Sequence, residues 1–381
     1  MTHEVSFTNA NVVLPNEIVS GGVCLKEGMI SDISAGSVSA PSTIDLQGDY
    51  LLPGIVDLHT DNLEKHVSPR PGVRWDVKLA LMAHDALVVA GGVTTVFDAL
   101  CVGSTIRKPE RNKYLEPNIA GIKNAKERQL LRADHFLHLR CEITDKGVLP
   151  LFSQFVDDPL VKLISIMDHA PGHRQAADLK KFREDQYADY GLSSENLEQQ
   201  IDEWRAASEE LGPKHRTHIA ESASARSIAC ASHDDETDAH IEEAIDLGIS
   251  ISEFPTTMTA AKAARKAGLS ILMGGPNVVR GGSHSGNIAA GELAREGLLD
   301  ILASDYIPSS LLQAAFLLTA EHIGLNLPTA VRIISANPAA ALGMNDRGAV
   351  EVGRRGDLVR VTVSEGTPVV REVWSEGRKV F

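Results

Sequence analysis

The chain has 381 residues, 43% hydrophobic, 23% charged and 4% aromatic, with a formal net charge of −14. Disorder is excluded by that apolar content, and the acidic balance with so few aromatics excludes non-specific nucleic-acid binding, which needs a positive field and stacking surfaces. Cys24, Cys101, Cys141 and Cys230 match no paired ligand spacing and read as buried thiols of a protein kept in a reducing cytoplasm. The N-terminus lacks a leader pattern, and no apolar run is long enough to span a membrane.

From the N-terminus, VSFTNANVVL, EIVSGGVCLKEGMISDIS and STIDLQGDYLLPG alternate short apolar runs with turn residues, which is hairpin patterning. The pattern then changes. GIVDLHT, VTTVFDAL, HFLHLRCEI, VKLISIMDH, RSIACASHD, ISISEFPT, SILMGGP and ILASDYI are near-continuous apolar runs. Helical stretches such as Trp75 to Ala90 and Leu311 to His322 lie between them. Strand-like runs alternating with helices predict a parallel sheet, and eight of them fit a closed (β/α)8 TIM-like barrel better than an open doubly wound sheet. Gln175 to Pro213 is long and polar for a crossover and predicts extra helices over one barrel mouth, either a lid or a plain solvated insertion. Gly348 to Phe381 returns to strands broken by turns. Residues 1–52 and 345–381 are therefore expected to form a small β-sandwich domain beside a barrel of residues 53–344.

Several apolar runs end in an ionisable residue, and in a parallel barrel those ends converge on one mouth. The first gives His59 and Asp61, which period-two alternation sends to the same side; the third gives Glu142, the fourth His169, the fifth His233 and the eighth Asp305. Singly, His169 or His233 reads as an ordinary hydrogen-bonded histidine and Glu142 as an ion-pair partner. Jointly, two or more imidazoles with several carboxylates suffice for one or two divalent ions. Asp57 and Asp168 are candidates to hold an imidazole N–H from behind.

The phrase LLPGIVDLH resembles the start of the first barrel strand in the amidohydrolase superfamily. HTDNLEKHVSPRPGVRW, MDHAPGHRQ, ASHDDET, EFPTT, GGPNVVRGGSHSGN and SDYIPSSLLQAA more narrowly resemble the α-D-ribose 1-methylphosphonate 5-triphosphate diphosphatase family of the carbon–phosphorus lyase pathway. The resemblance implies water displacing diphosphate from a sugar 5-triphosphate. Most of the superfamily carries His-x-His at the first strand, whereas His59-x-Asp61 agrees with the narrower family. No lysine suited to carbamylation ends the fourth strand, so Glu142 is the candidate bridging carboxylate. Zn²⁺ is the expected ion, with Mn²⁺ or Fe²⁺ open.

For that chemistry Asp305 is expected both to ligate and to accept the proton of the attacking water, as the superfamily resemblance implies. Lys65, His66, Arg70 and Arg74 follow the first strand, Arg174 the fourth, and Arg280, His284 and Asn287 the seventh; these are the candidate substrate-binding groups. The expected partner is a small phosphorylated sugar, with no nucleic acid or membrane, and the chain is expected to form a homo-oligomer. Cyclic-amide hydrolysis, deamination and a non-catalytic scaffold of the same fold are the alternatives.

Overall fold

Five short strands open the chain: β1 (Glu4–Val13), β2 (Ile18–Lys26), β3 (Met29–Ala35), β4 (Thr43–Asp45) and β5 (Tyr50–Pro53). The computed structural model describes residues 4–36, 43–70, 72–105, 111–174, 179–180, 182–184, 194–283 and 286–381. Between β2 and β3, Glu27 and Gly28 take φ of 52° and 80°, the paired left-handed conformation that matches a hairpin's twist. The chain then leaves β5 through Gly54. A Cβ there would lie 2.2 Å from the Thr94 hydroxyl oxygen, so only glycine allows this close approach.

Eight parallel strands follow: β6 (Ile55–Thr60), β7 (Val93–Val102), β8 (Asp134–Glu142), β9 (Val161–Met167), β10 (Ala229–His233), β11 (Ile251–Glu253), β12 (Ser270–Gly274) and β13 (Ile301–Ala303). Each pairs with its neighbour in sequence, as the alternation predicts. Val56, Leu58, Phe97, Leu163, Ala231, Leu272 and Ile301 fill the barrel interior. Opposite faces of the same strands pack under helices, among them α1 (Asn62–Val67), α2 (Val77–Ala90) and α3 (Leu115–Glu127). Being covered on both sides is why these strands read as unbroken apolar runs. The first and last strands meet at the rim, where the Asp305 N–H donates to the His59 carbonyl at 2.9 Å and the Asp61 N–H donates to the Asp305 carbonyl at 2.7 Å.

The C-terminal strands β14 (Leu358–Ser364), β15 (Thr367–Ser375) and β16 (Arg378–Lys379) rejoin the first five in one eight-stranded sheet, with β14 antiparallel to β5. Phe7 and Trp374, from the two ends of the chain, meet edge to face at 4.6 Å in its core.

Two helical boundaries differ from the sequence reading. The helix expected over Leu311 to His322 spans Ser310–Leu317, because Thr319 and Ala320 bond back three residues and tighten the chain into turns. Pro213 does not end the polar insertion; a 32-residue helix, Ser194–Ala225, continues through it. Tertiary anchors hold that helix: Ser208 Oγ and Arg216 Nη2 both donate to Asp168 Oδ2 at 2.7 Å, and His215 Nδ1 bonds the Ile143 carbonyl at 2.7 Å. Residues 175–178, 181 and 185–193 of the expected lid lie outside the described residues. Among the described residues no helix is long and apolar enough to cross a membrane, and all four cysteines are unpaired.

Candidate metal centre

The barrel rim gathers two groups of ligand atoms. In one, His59, Asp61 and Asp305 come together at the β6–β13 seam, with His59 Nε2 3.6 Å from Asp61 Oδ1. In the other, His233 Nε2 lies 3.4 Å and His169 Nε2 4.0 Å from Asp234 Oδ2. The His59 and His233 rings stack at 6.4 Å, so the groups are neighbours. Asp234, Phe254 and Asp305, each just past a strand end, hold φ near +55° (54°, 56° and 54°), a conformation that costs a non-glycine residue of order 1 kcal/mol or more and clusters at functional sites.

Glu253, absent from the sequence-derived set, organises the imidazoles. Its Oε1 faces His59 Nδ1 at 2.7 Å and its Oε2 faces His233 Nδ1 at 2.6 Å. A carboxylate only accepts, so each Nδ1 carries a proton and each Nε2 is left for a ligand bond. Glu142 plays the same part for His169, with Oε2 at 2.6 Å from Nδ1 and Oε1 accepting from Thr144 at 2.7 Å. Glu142 therefore sits behind His169, where the sequence reading had it bridging. This donor set fits a divalent ion: free Nε2 atoms and carboxylates converge from fixed directions.

Charge is distributed unevenly over the rim. Burial disfavours the imidazolium of His59, yet the Glu253 carboxylate lifts it to about 9. His169 is raised in the same way, Glu142 outweighing burial. Burial and the nearby Asp61 push the Asp305 carboxyl up, whereas at Asp61 the Arg140 guanidinium outweighs burial and holds the carboxyl well below its usual range. Arg140 Nη1 donates to Asp61 Oδ1 at 2.7 Å. Another histidine, His138, packs against His59, but its nitrogens are engaged by the Leu58 carbonyl and Ser165 Oγ, and burial holds it down at about 3, a neutral core residue.

The remaining expected residues are spread around the rim. Asp57 accepts from the Ser304 N–H at 2.9 Å and the His59 N–H at 3.3 Å, so it clamps backbone where an imidazole was expected; Asp168 likewise holds Ser208 and Arg216. Arg174 is buried behind His233, donating to its carbonyl at 2.8 Å and to Asp235 at 2.7 Å, and so braces the β10 end instead of facing a ligand. Lys65 donates to the Tyr306 carbonyl at 2.8 Å, and Arg74 stacks on Tyr114 at 3.6 Å. Both line a cavity of about 380 Å³ that also includes Asp61 and the Glu64–Arg111 ion pair. His66 lies half-buried beside His84, 6.1 Å away, and Arg70 is exposed in a turn. Arg280 is exposed at a helix end, Asn287 is half-buried, and His284 lies outside the described residues.

Comparison with known proteins fits this geometry. Residues 155–381 match the model of the Amidohydrolase family. The chain belongs to that family. Over 374 residues, 98% of this chain and 99% of the relative, it is 45% identical to the alpha-D-ribose 1-methylphosphonate 5-triphosphate diphosphatase of Escherichia coli strain K12. The fold is shared with 5-methylcytosine deaminase from Klebsiella pneumoniae (TM-score 0.68, 13% identity, 99% of this chain and 97% of that one). It is also shared with N-acetylglucosamine-6-phosphate deacetylase from Pasteurella multocida (TM-score 0.64, 14% identity, 99% of each chain).

Proposed function

We propose that this chain hydrolyses α-D-ribose 1-methylphosphonate 5-triphosphate to the 5-phosphate and diphosphate, in phosphonate catabolism. The observation that carries the reading is identity of 45% along essentially the whole length of both chains. Independent support comes from the cavity beside Asp61, whose lining includes Lys65, Arg74 and Arg111, more cationic than an amide ring or nucleobase requires.

His59, Asp61 and Asp305, with His169, His233 and Asp234 beside them, would hold one or two divalent ions, zinc first among the candidates. Bound there, the metal supplies Lewis-acid polarisation and a more acidic water. Asp305, just past the end of β13 beside those ligands, takes the proton of the attacking water. Lys65 and Arg74 bind phosphate oxygens and fix the triphosphate along the rim. Four unpaired cysteines suit a reducing cytoplasm.

The test is incubation of the purified protein with the ribosyl triphosphate and a divalent metal, followed by phosphorus NMR. Diphosphate and the 5-phosphate should appear in equal amounts. Opening of a cyclic amide, with no diphosphate released from the triphosphate, would overturn the reading.

A further inference from the structure

Arg140 stands at the centre of the rim yet has few partners. It is 8% exposed, and the Nη1 contact to Asp61 is its one side-chain hydrogen bond among the described residues; Nε is buried without a partner. A guanidinium carries five N–H donors in a planar fork. Burying such a cation with its Nε unspent is costly, and an anionic ligand that reaches the rest of the fork recovers part of that cost. Arg140 reaches the cavity bearing Lys65, Arg74 and Arg111 from behind its wall, through Asp61, which lines it and to which Arg140 is bonded. Arg111 is itself held by a two-pronged pair with Glu64, Nε at 2.7 Å and Nη2 at 2.9 Å, which fixes its fork. Across the rim, Arg280 is exposed at a helix end.

We propose that this cavity is the subsite of the departing diphosphate, and that Arg140 is a catalytic residue that neutralises the charge building on it. The inference rests on the triphosphate hydrolysis proposed above. Water oxygen forms the new bond to the α-phosphorus and its proton passes to Asp305. The bond from the α-phosphorus to the bridging oxygen breaks, and the electron pair stays with that oxygen on the diphosphate. The charge grows on the side where the fixed cations cluster, which places the diphosphate there and the sugar towards the opposite part of the rim.

Inorganic diphosphate, titrated calorimetrically into metal-loaded protein, tests the subsite without turnover. Wild type should bind it, and Arg140→Gln and Arg111→Gln should each weaken binding tenfold or more, compared at saturating metal and at a temperature where circular dichroism shows each variant folded. Equal affinity in the Arg140→Gln variant, or no binding to wild type, overturns the proposal. Turnover supplies a second readout. Triphosphates whose β,γ-bridge is replaced by CH2 or CF2 vary the basicity of the leaving group. In Arg140→Gln, kcat should fall by about 10²–10³ and depend more steeply on that basicity, with Arg140→Lys recovering part of the loss. A fall in kcat with unchanged steepness means that Arg140 only positions Asp61, and overturns the catalytic role. Failure of wild type to release diphosphate defeats the function reading, whereas the binding titration still decides the subsite.

Discussion

Glu253 sets the direction of two imidazoles at once, because its two oxygens meet His59 Nδ1 and His233 Nδ1 at 2.7 and 2.6 Å. The same carboxylate that raises the proton affinity of His59 raises its basicity towards a metal, which replaces the Nε2 proton on binding. Replacing Glu253 by Gln keeps the shape but offers one acceptor where there were two, so metal affinity should fall about 10–100-fold. Competition with a calibrated chelator measures this directly, and unchanged affinity would show that the imidazoles orient themselves. Much of this site was legible: one rule, an ionisable residue where an apolar run stops, finds His59, Glu142, His169, His233 and Asp305. Applied to ISISE it also finds Glu253, but that run's flanking serines hide the stop. Arg140 was missed because an arginine inside HFLHLRCE looks out of place, although alternation along β8 puts His138, Arg140 and Glu142 on one face. What no pattern reveals is a partner distant in sequence, such as Asp235, which draws Arg174 inward.

Between barrel and helices, a second cluster of buried charge joins α1, α2, β7 and β8. Asp98 Oδ1 meets His84 Nε2 at 2.7 Å and its Oδ2 meets His135 Nδ1 at 2.8 Å. His135 Nε2 faces Asp85 at 3.3 Å, and His84 Nδ1 faces the Asn62 amide at 2.9 Å. Asp85 is held in turn by the Arg132 guanidinium and by the Arg132 and Ala133 N–H groups. Burial opposes a charged His135, but Asp98 and Asp85 together lift it to about 9. Its folded value thus exceeds the value of about 6.5 expected for a free histidine. The contribution to stability is complete below about pH 6.5 and disappears as pH rises through 9, with a magnitude of about 3 kcal/mol. In His135→Gln, Asp98 loses its cation while Asp85 keeps Arg132, so the variant should melt lower at pH 6, and the gap to wild type should narrow between pH 6.5 and 9.5. Melts in which the gap stays constant across that range would show that His135 is neutral in the fold. Sequence reading placed these strands because both faces are covered. It could not see this cluster, since Asp98 and His135 interrupt apolar runs only singly.

At the scale of the whole molecule, the barrel has one seam that the chain does not close by adjacency, and the candidate metal ligands straddle it. His59 lies in β6 and Asp61 just past it, Asp305 follows β13, and Asp57 ties the two strand ends together through the His59 and Ser304 N–H groups. The β6 strand is also continuous, through Gly54, with the terminal sheet, where β5 pairs with β14. Alternation of strands and helices made the barrel legible, and hairpin patterning at both ends made the terminal sheet legible. The junction was not, because pairing of β5 with a strand some three hundred residues later leaves no local mark. An ion bound at the seam adds links from the first strand to the last, and it binds the native chain in preference to the unfolded one. Its contribution is then set by mass action, about 4 kcal/mol when free metal is a thousandfold above its dissociation constant. For a protein of this size that corresponds to a rise in Tm of roughly 5 °C or more. Melts of chelator-treated protein, titrated with zinc or manganese, should therefore move upward with metal concentration. The His59→Ala variant should start below the metal-free wild type, because buried Glu253 loses one imidazole partner, and respond only weakly to metal. A melt independent of metal in wild type would mean that the seam is closed by backbone bonding alone and that the rim does not bind these ions.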